Sequence, residues 1–103
     1  MINFALCRKE LNALPELVRE DLADALAKLE AGLMLSMPLS RPMHSIGRRV
    51  HELRFRDRSG VYRVIYFVAV SGVIHLFCAF KKTTQKTEQR HLELAQRRLK
   101  EVP

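Results

Sequence analysis

Two arginines, Arg54 and Arg63, flank the turn-forming stretch Asp57-Arg58-Ser59-Gly60, and each sits in a run rich in Val, Ile, Phe and Tyr. A hairpin turning about Arg58 and Ser59 makes Arg54 face Arg63 and Arg56 face Val61. A second hairpin, with Ser71-Gly72 as a two-residue loop, sets Arg63 opposite Phe80 and Val61 opposite Lys82. Directly paired residues project to the same side of a sheet, so Glu52, Arg54, Arg56, Arg63, Phe80 and Lys82 are expected on one face. Two opposed arginines repel, and a local conflict of this kind is expected where a site is built. The planar fork of arginine grips a phosphate through two parallel hydrogen bonds, so the expected chemistry is phosphate binding. The alternative is a solvated salt-bridge network in which Glu52, Asp57 or another acid neutralises the cations.

The elements that must position these side chains are legible in the hydrophobic pattern. Leu11, Leu14, Val18, Leu22, Leu26, Leu29 and Leu33 advance by three or four residues, a helical stripe that Pro15 interrupts. Proline is tolerated in a first helical turn and breaks an interior. The pattern therefore predicts a short helix over about 7–13 and a longer one over about 15–31, ended by Gly32. Residues 33–47, with Pro38, Pro42 and Gly47, read as a crossing loop. Val50 to Arg56, Val61 to Val70 and Val73 to Phe80 read as three antiparallel strands. Leu92, Ala95, Leu99 and Val102 mark a last helix over about 88–102.

The expected fold class is α+β: an N-terminal helical hairpin on a small antiparallel meander with a C-terminal helix. The core face holds Leu53, Phe55, Tyr62, Val64, Tyr66, Val68 and Phe77. The cationic face continues as Ile65, Phe67, Ile74 and Leu76, which the last helix covers.

Length and charge bound the function. A chain of 103 residues has room for a single domain, 1–103. Its composition, 48% hydrophobic and 28% charged, is globular, and no apolar run approaches the roughly 20 residues of a membrane span. The start of the chain lacks a secretory leader, which predicts a cytoplasmic protein. The net charge of +7 is segregated: residues 1–40 carry four basic and six acidic side chains, residues 41–103 fourteen and five. A localised anion-binding surface follows. Cys7 and Cys78 are too far apart for a zinc motif and read as buried thiols, and the four histidines form no ligand cluster. No metal and no cofactor are expected. His51 and His75 fall on the core side as structural residues.

The run Glu52-Leu53-Arg54, then Tyr62-Arg63-Val64-Ile65-Tyr66, then Ala79-Phe80-Lys81-Lys82 with a Gln-Lys-Thr and a C-terminal helix, resembles the RelE/ParE toxin superfamily. The closest look is to its phage-derived, HigB-like branch. Arg8-Lys9-Glu10-Leu11, Leu14-Pro15 and Val18-Arg19 extend the likeness over nearly the whole chain. Aligned on Phe80, Lys82 matches the branch's first motif lysine and Lys81 fills its variable place. Thr83 stands for the second lysine, Glu88 for a proline, and Cys78 where histidine is common. Residues 1–5 leave little room for the family's first strand, so the N-terminus looks clipped.

The resemblance implies a RelE-like fold and a type II toxin–antitoxin toxin: a metal-independent endoribonuclease that cuts mRNA, commonly on the translating ribosome. A cognate helix-turn-helix antitoxin would hold it inactive, with an acidic segment over the basic patch. In that reading Arg54 and Arg63 stabilise the transition state, Lys82 is the base or a second phosphate ligand, and Glu52 is a rival base or orients Arg54. Arg56, Phe80, Lys81, Lys86 and Tyr66 are candidate RNA contacts, Phe80 and Tyr66 by stacking. Lys86, Arg90, Arg97 and Arg98 read as solvated charges able to track an RNA backbone. Two other classes stay open: a ParE-like DNA gyrase inhibitor, and a catalytically degenerate RNA- or antitoxin-binding protein.

Overall fold

A computed structural model describes residues 1–83 and 89–102. Strand β1 (Ile2–Asn3) leads through a 3-10 turn (Ala5–Cys7) into helices α1 (Arg8–Asn12) and α2 (Glu16–Glu30). Strands β2 (Ser40–Pro42), β3 (Val50–Asp57), β4 (Gly60–Val68) and β5 (Ile74–Lys82) follow, then helix α3 (Gln89–Leu99). The five strands form one sheet in the order β1-β5-β4-β3-β2, antiparallel except for the β1–β5 pair.

Pro15 begins α2 where its missing N–H costs nothing. Gly32, at φ +86, ends it in a left-handed turn: its N–H bonds to the Leu29 carbonyl and the Leu33 N–H to that of Lys28. The buried face of α2, Val18, Leu22 and Ala25, packs with Cys7 and Leu14 on Leu53, Phe55, Tyr62, Val64 and Tyr66. A second core lies on the other side of the sheet, where Ala95, Leu92, Leu99 and Val102 cover Ile65, Phe77 and Cys78. Among the described residues no helix is long and apolar enough to cross a membrane.

Two tight turns set the register. Asp57 Oδ1 accepts hydrogen bonds from Ser59 N at 2.8 Å, Ser59 Oγ at 2.7 Å and Gly60 N at 3.2 Å, closing the β3–β4 hairpin so that Arg54 faces Arg63 as expected. The β4–β5 hairpin departs from expectation. Ala69 pairs with Val73 across a three-residue loop, with Gly72 at φ +92. A β-bulge opposite Ile65 and Tyr66 then leaves Phe77 as the extra residue. Between the turn and the bulge the faces are therefore exchanged: Ile74 and Leu76 join the α2 side, Phe77 joins the α3 side, and His75 stacks on Phe67 rather than entering the α2 core.

Two strands were not expected. Ser40–Pro42, read as loop, is an edge strand on β3, where proline is tolerated because its missing donor faces outward. Ile2 and Asn3 provide a two-residue first strand beside Ile74 and His75.

Candidate functional site

Beyond the bulge the sheet presents an orderly array. One row across the strands reads Lys82, Val61, Arg56; the next Phe80, Arg63, Arg54; the third Cys78, Ile65, Glu52, Arg41. All project to the face that α3 covers only in part. Ile65 and Cys78 lie beneath α3, while Arg41, Arg54, Arg56, Arg63, Lys82 and Thr83 line an open groove of about 530 Å³. A second depression of about 380 Å³ shares Arg54, Arg56, Val61 and Arg63 and adds Pro38, Leu39 and Phe55.

Glu52 forms the floor. Its carboxylate is fully buried, and Oε1 lies 3.2 Å from Nε of Arg63, which is itself only 4% exposed. The contact is an ion pair whose N–H does not point squarely at the oxygen. Arg63 Nη1 also donates to the carbonyl of Tyr62 at 3.2 Å. Burial pulls the Arg63 pKa below its usual value, the positive charges of Arg54 and Arg41 add to this, and Glu52 opposes it. An arginine stays protonated regardless, so the result is a desolvated fixed cation. Lys82 is depressed as well, first by burial and then by Arg63, with Arg54 and Arg41 contributing and Glu52 opposing. An anion entering this groove exchanges hydration for preformed donors, the arrangement that favours a developing dianion.

The structure brings Glu52, Arg54, Arg56, Arg63 and Lys82 together. Glu52 is fully buried and stands as a counter-ion to Arg63. Arg41 was missed, and its only sequence signal is a cation between Ser40 and Pro42.

Other expected contacts are elsewhere. Tyr66 is buried on the opposite face, its hydroxyl 2.7 Å from Ser40 Oγ and its ring stacked on His51, so it is not available to stack on a base. Lys81 pairs with Tyr62 and projects away from the groove over Gly60. Phe80 borders the groove, but one ring face is covered by His91 at a centroid distance of 3.7 Å. Arg98 is not a solvated charge: it bonds Glu10 at 2.6 Å and the carbonyl of the bulged Phe77, tying α3 to α1 and β5. Lys86 lies outside the described residues. Cys7 and Cys78 are buried thiols, both pushed up to about 12, chiefly by burial.

Residues 9–100 match the family described as Phage derived protein Gp49-like (DUF891). No curated protein matches. Among solved structures, an E. coli toxin RelE variant with two arginines replaced by alanine, in the free state, is 21% identical over 96% of each chain with a TM-score of 0.57. A chain of the intact E. coli RelBE toxin–antitoxin complex is 22% identical over 82% of this chain and 98% of its own, with a TM-score of 0.49. The first of these likenesses establishes a shared fold.

Proposed function

The chain belongs to the phage-derived Gp49-like family and has the fold of RelE, and from these two facts we propose that it is the toxin of a type II toxin–antitoxin system, of HigB-like type. It is a metal-independent endoribonuclease that cleaves mRNA on the translating ribosome in the cytoplasm, neutralised by a cognate helix-turn-helix antitoxin whose acidic segment covers the groove.

The observation that carries this reading is the groove itself, in which Arg54, Arg63 and Lys82 come from three consecutive strands over a buried Glu52. Metal-free RNA cleavage needs the ribose 2′-hydroxyl to attack the adjacent phosphate in line, a base to take its proton, cations for the pentacoordinate dianion, and a proton from an acid or water for the 5′-oxygen that leaves as its bond to phosphorus breaks and a 2′,3′-cyclic phosphate forms. Arg63, held by Glu52, and Arg54 opposite it supply the cations. Lys82 is the base, since its crowded position favours the neutral form. Removing one such preorganised donor costs about 2.7–4 kcal/mol of transition-state stabilisation, or roughly 10²–10³ in rate.

The test is controlled expression followed by primer extension on cellular messages. New 5′ ends inside coding regions are expected, lost in Arg54→Ala and Arg63→Ala, and purified protein stripped of metal with EDTA and then desalted cleaves on translating ribosomes as fast as untreated protein. Growth arrest with intact messages and damaged DNA refutes the nuclease assignment and favours the gyrase-inhibitor alternative.

A further inference from the structure

The groove is walled on one side by β2, an edge strand of only three residues, and this strand carries a cation that the meander does not supply. Arg41 is exposed, stands directly opposite Glu52 across the β2–β3 pair, and contributes to depressing the pKa of both Arg63 and Lys82. From Arg54 it is displaced by one strand spacing, about 4.8 Å, and by two residues along the strand, about 6.8 Å. That offset sets the backbone of Arg41 beyond the Arg54–Arg63 pair, so that it adds a further cation along the groove.

The strand itself is held unusually well for so short an edge. Alternation along β2 sends Arg41 into the groove and Ser40 to the opposite face, where Ser40 is 1% exposed and its Oγ lies 2.7 Å from the hydroxyl of Tyr66. Tyr66 is in turn fixed by burial and by stacking on His51. The backbone adds the bond from Arg54 N to Leu39 O at 2.9 Å. A hydroxyl pair buried under one face thus sets the position of a guanidinium on the other.

We propose that Arg41 forms a second phosphate subsite, adjacent to the one centred on Arg63, so that the groove takes a single-stranded nucleic-acid backbone by two phosphates, and that the Ser40–Tyr66 bond is the positioning device for it. The inference rests on the groove binding RNA, as proposed above, and assigns a role to one strand that the cleavage chemistry does not need. Arg41 is a ligand of the backbone; Ser40 and Tyr66 act only through it.

The experiment measures binding of a short 2′-O-methyl single-stranded RNA, which cannot be cleaved, by fluorescence anisotropy over a range of salt concentrations. Arg41→Ala is expected to weaken binding about tenfold and to reduce the slope of log K against log salt by about 0.7, the value of one phosphate contact on a single strand. Arg41→Lys restores the slope. Tyr66→Phe, which keeps the ring and its stack, weakens binding by about threefold, Ser40→Ala does the same, and neither has any effect in the Arg41→Ala background, because coupled residues are non-additive. A structural role for Tyr66 would lower binding equally in both backgrounds and would overturn the positioning role. An unchanged salt slope in Arg41→Ala, with wild-type binding intact, overturns the subsite alone. Wild-type protein that binds no RNA overturns the subsite, while the nuclease reading stands or falls with cleavage on translating ribosomes.

Discussion

Replacing Glu52 by alanine leaves Arg63, 4% exposed, without its carboxylate and with Arg41, Arg54 and Lys82 still around it. Breaking a buried pair by removing one partner costs about 3–5 kcal/mol, because the remaining charge has neither water nor a counter-ion. With a urea m-value of roughly 1–3 kcal/mol/M for a domain of this size, the midpoint falls by on the order of 2 M. Replacing both partners by methionine removes the two desolvation penalties together and is expected to cost far less than the sum of the single changes, or to stabilise. The assay is equilibrium urea unfolding of Glu52→Ala, Arg63→Met and Glu52→Met/Arg63→Met, followed by far-UV circular dichroism. Additive losses in the double variant would refute the claim that the two charges are held against each other. A single Glu52→Ala with wild-type stability would refute the stronger claim that Glu52 is the counterweight of the groove.

Two further outcomes follow from the placement of titratable groups. The folded pKa of Lys82 is depressed, so its charged form is less stable folded than unfolded; stability should rise as pH climbs from that folded pKa towards 10.5, and Lys82→Met should raise the Tm at pH 7 and flatten this rise while abolishing cleavage. The thiols of Cys7 and Cys78, both pushed up to about 12 by burial, should stay unmodified by a disulfide reagent at pH 8 in the native protein and both react in denaturant; rapid native labelling would contradict their placement.

The parts of the fold that could be read in advance are those where sequence and geometry allow one solution. Asp57-Arg58-Ser59-Gly60 admits a symmetric turn, so the opposition of Arg54 and Arg63 followed from counting. The helical stripe from Val18 to Leu29, with Pro15 and Gly32 at its ends, left equally little choice. β5 was different. Ile74, His75, Leu76, Phe77, Cys78 and Ala79 are all buried, so alternation carries no information about which face each takes, and a bulge leaves no mark. The expected two-residue loop was one residue too short and the bulge was unforeseen. The two departures cancel beyond Phe77, which is why Phe80 and Lys82 stand where the simple register put them. β2 was hidden because Ser40-Arg41-Pro42, between the turn signals Pro38 and Gly47, has the composition of a loop, and only its pairing partner makes it a strand. Burial of Glu52 was likewise invisible: nothing local distinguishes a carboxylate that faces solvent from one roofed by an arginine on the neighbouring strand.

The extra residue at Phe77 has a consequence for how this groove changes over generations. Strands keep time in steps of two, and the bulge shifts β5 by half a period relative to β4. Without it, the same hairpin would set Arg63 against Ala79, turn Lys81 into the groove and carry Lys82 to the far side. Two adjacent lysines therefore hold interchangeable chemistry and opposite addresses: smoothing the bulge out at constant length would swap them, whereas deleting the extra residue would leave Lys82 opposite Val61 and in the groove. In this architecture the phase of one strand, set some distance from the groove by a backbone irregularity, decides which ammonium is in service.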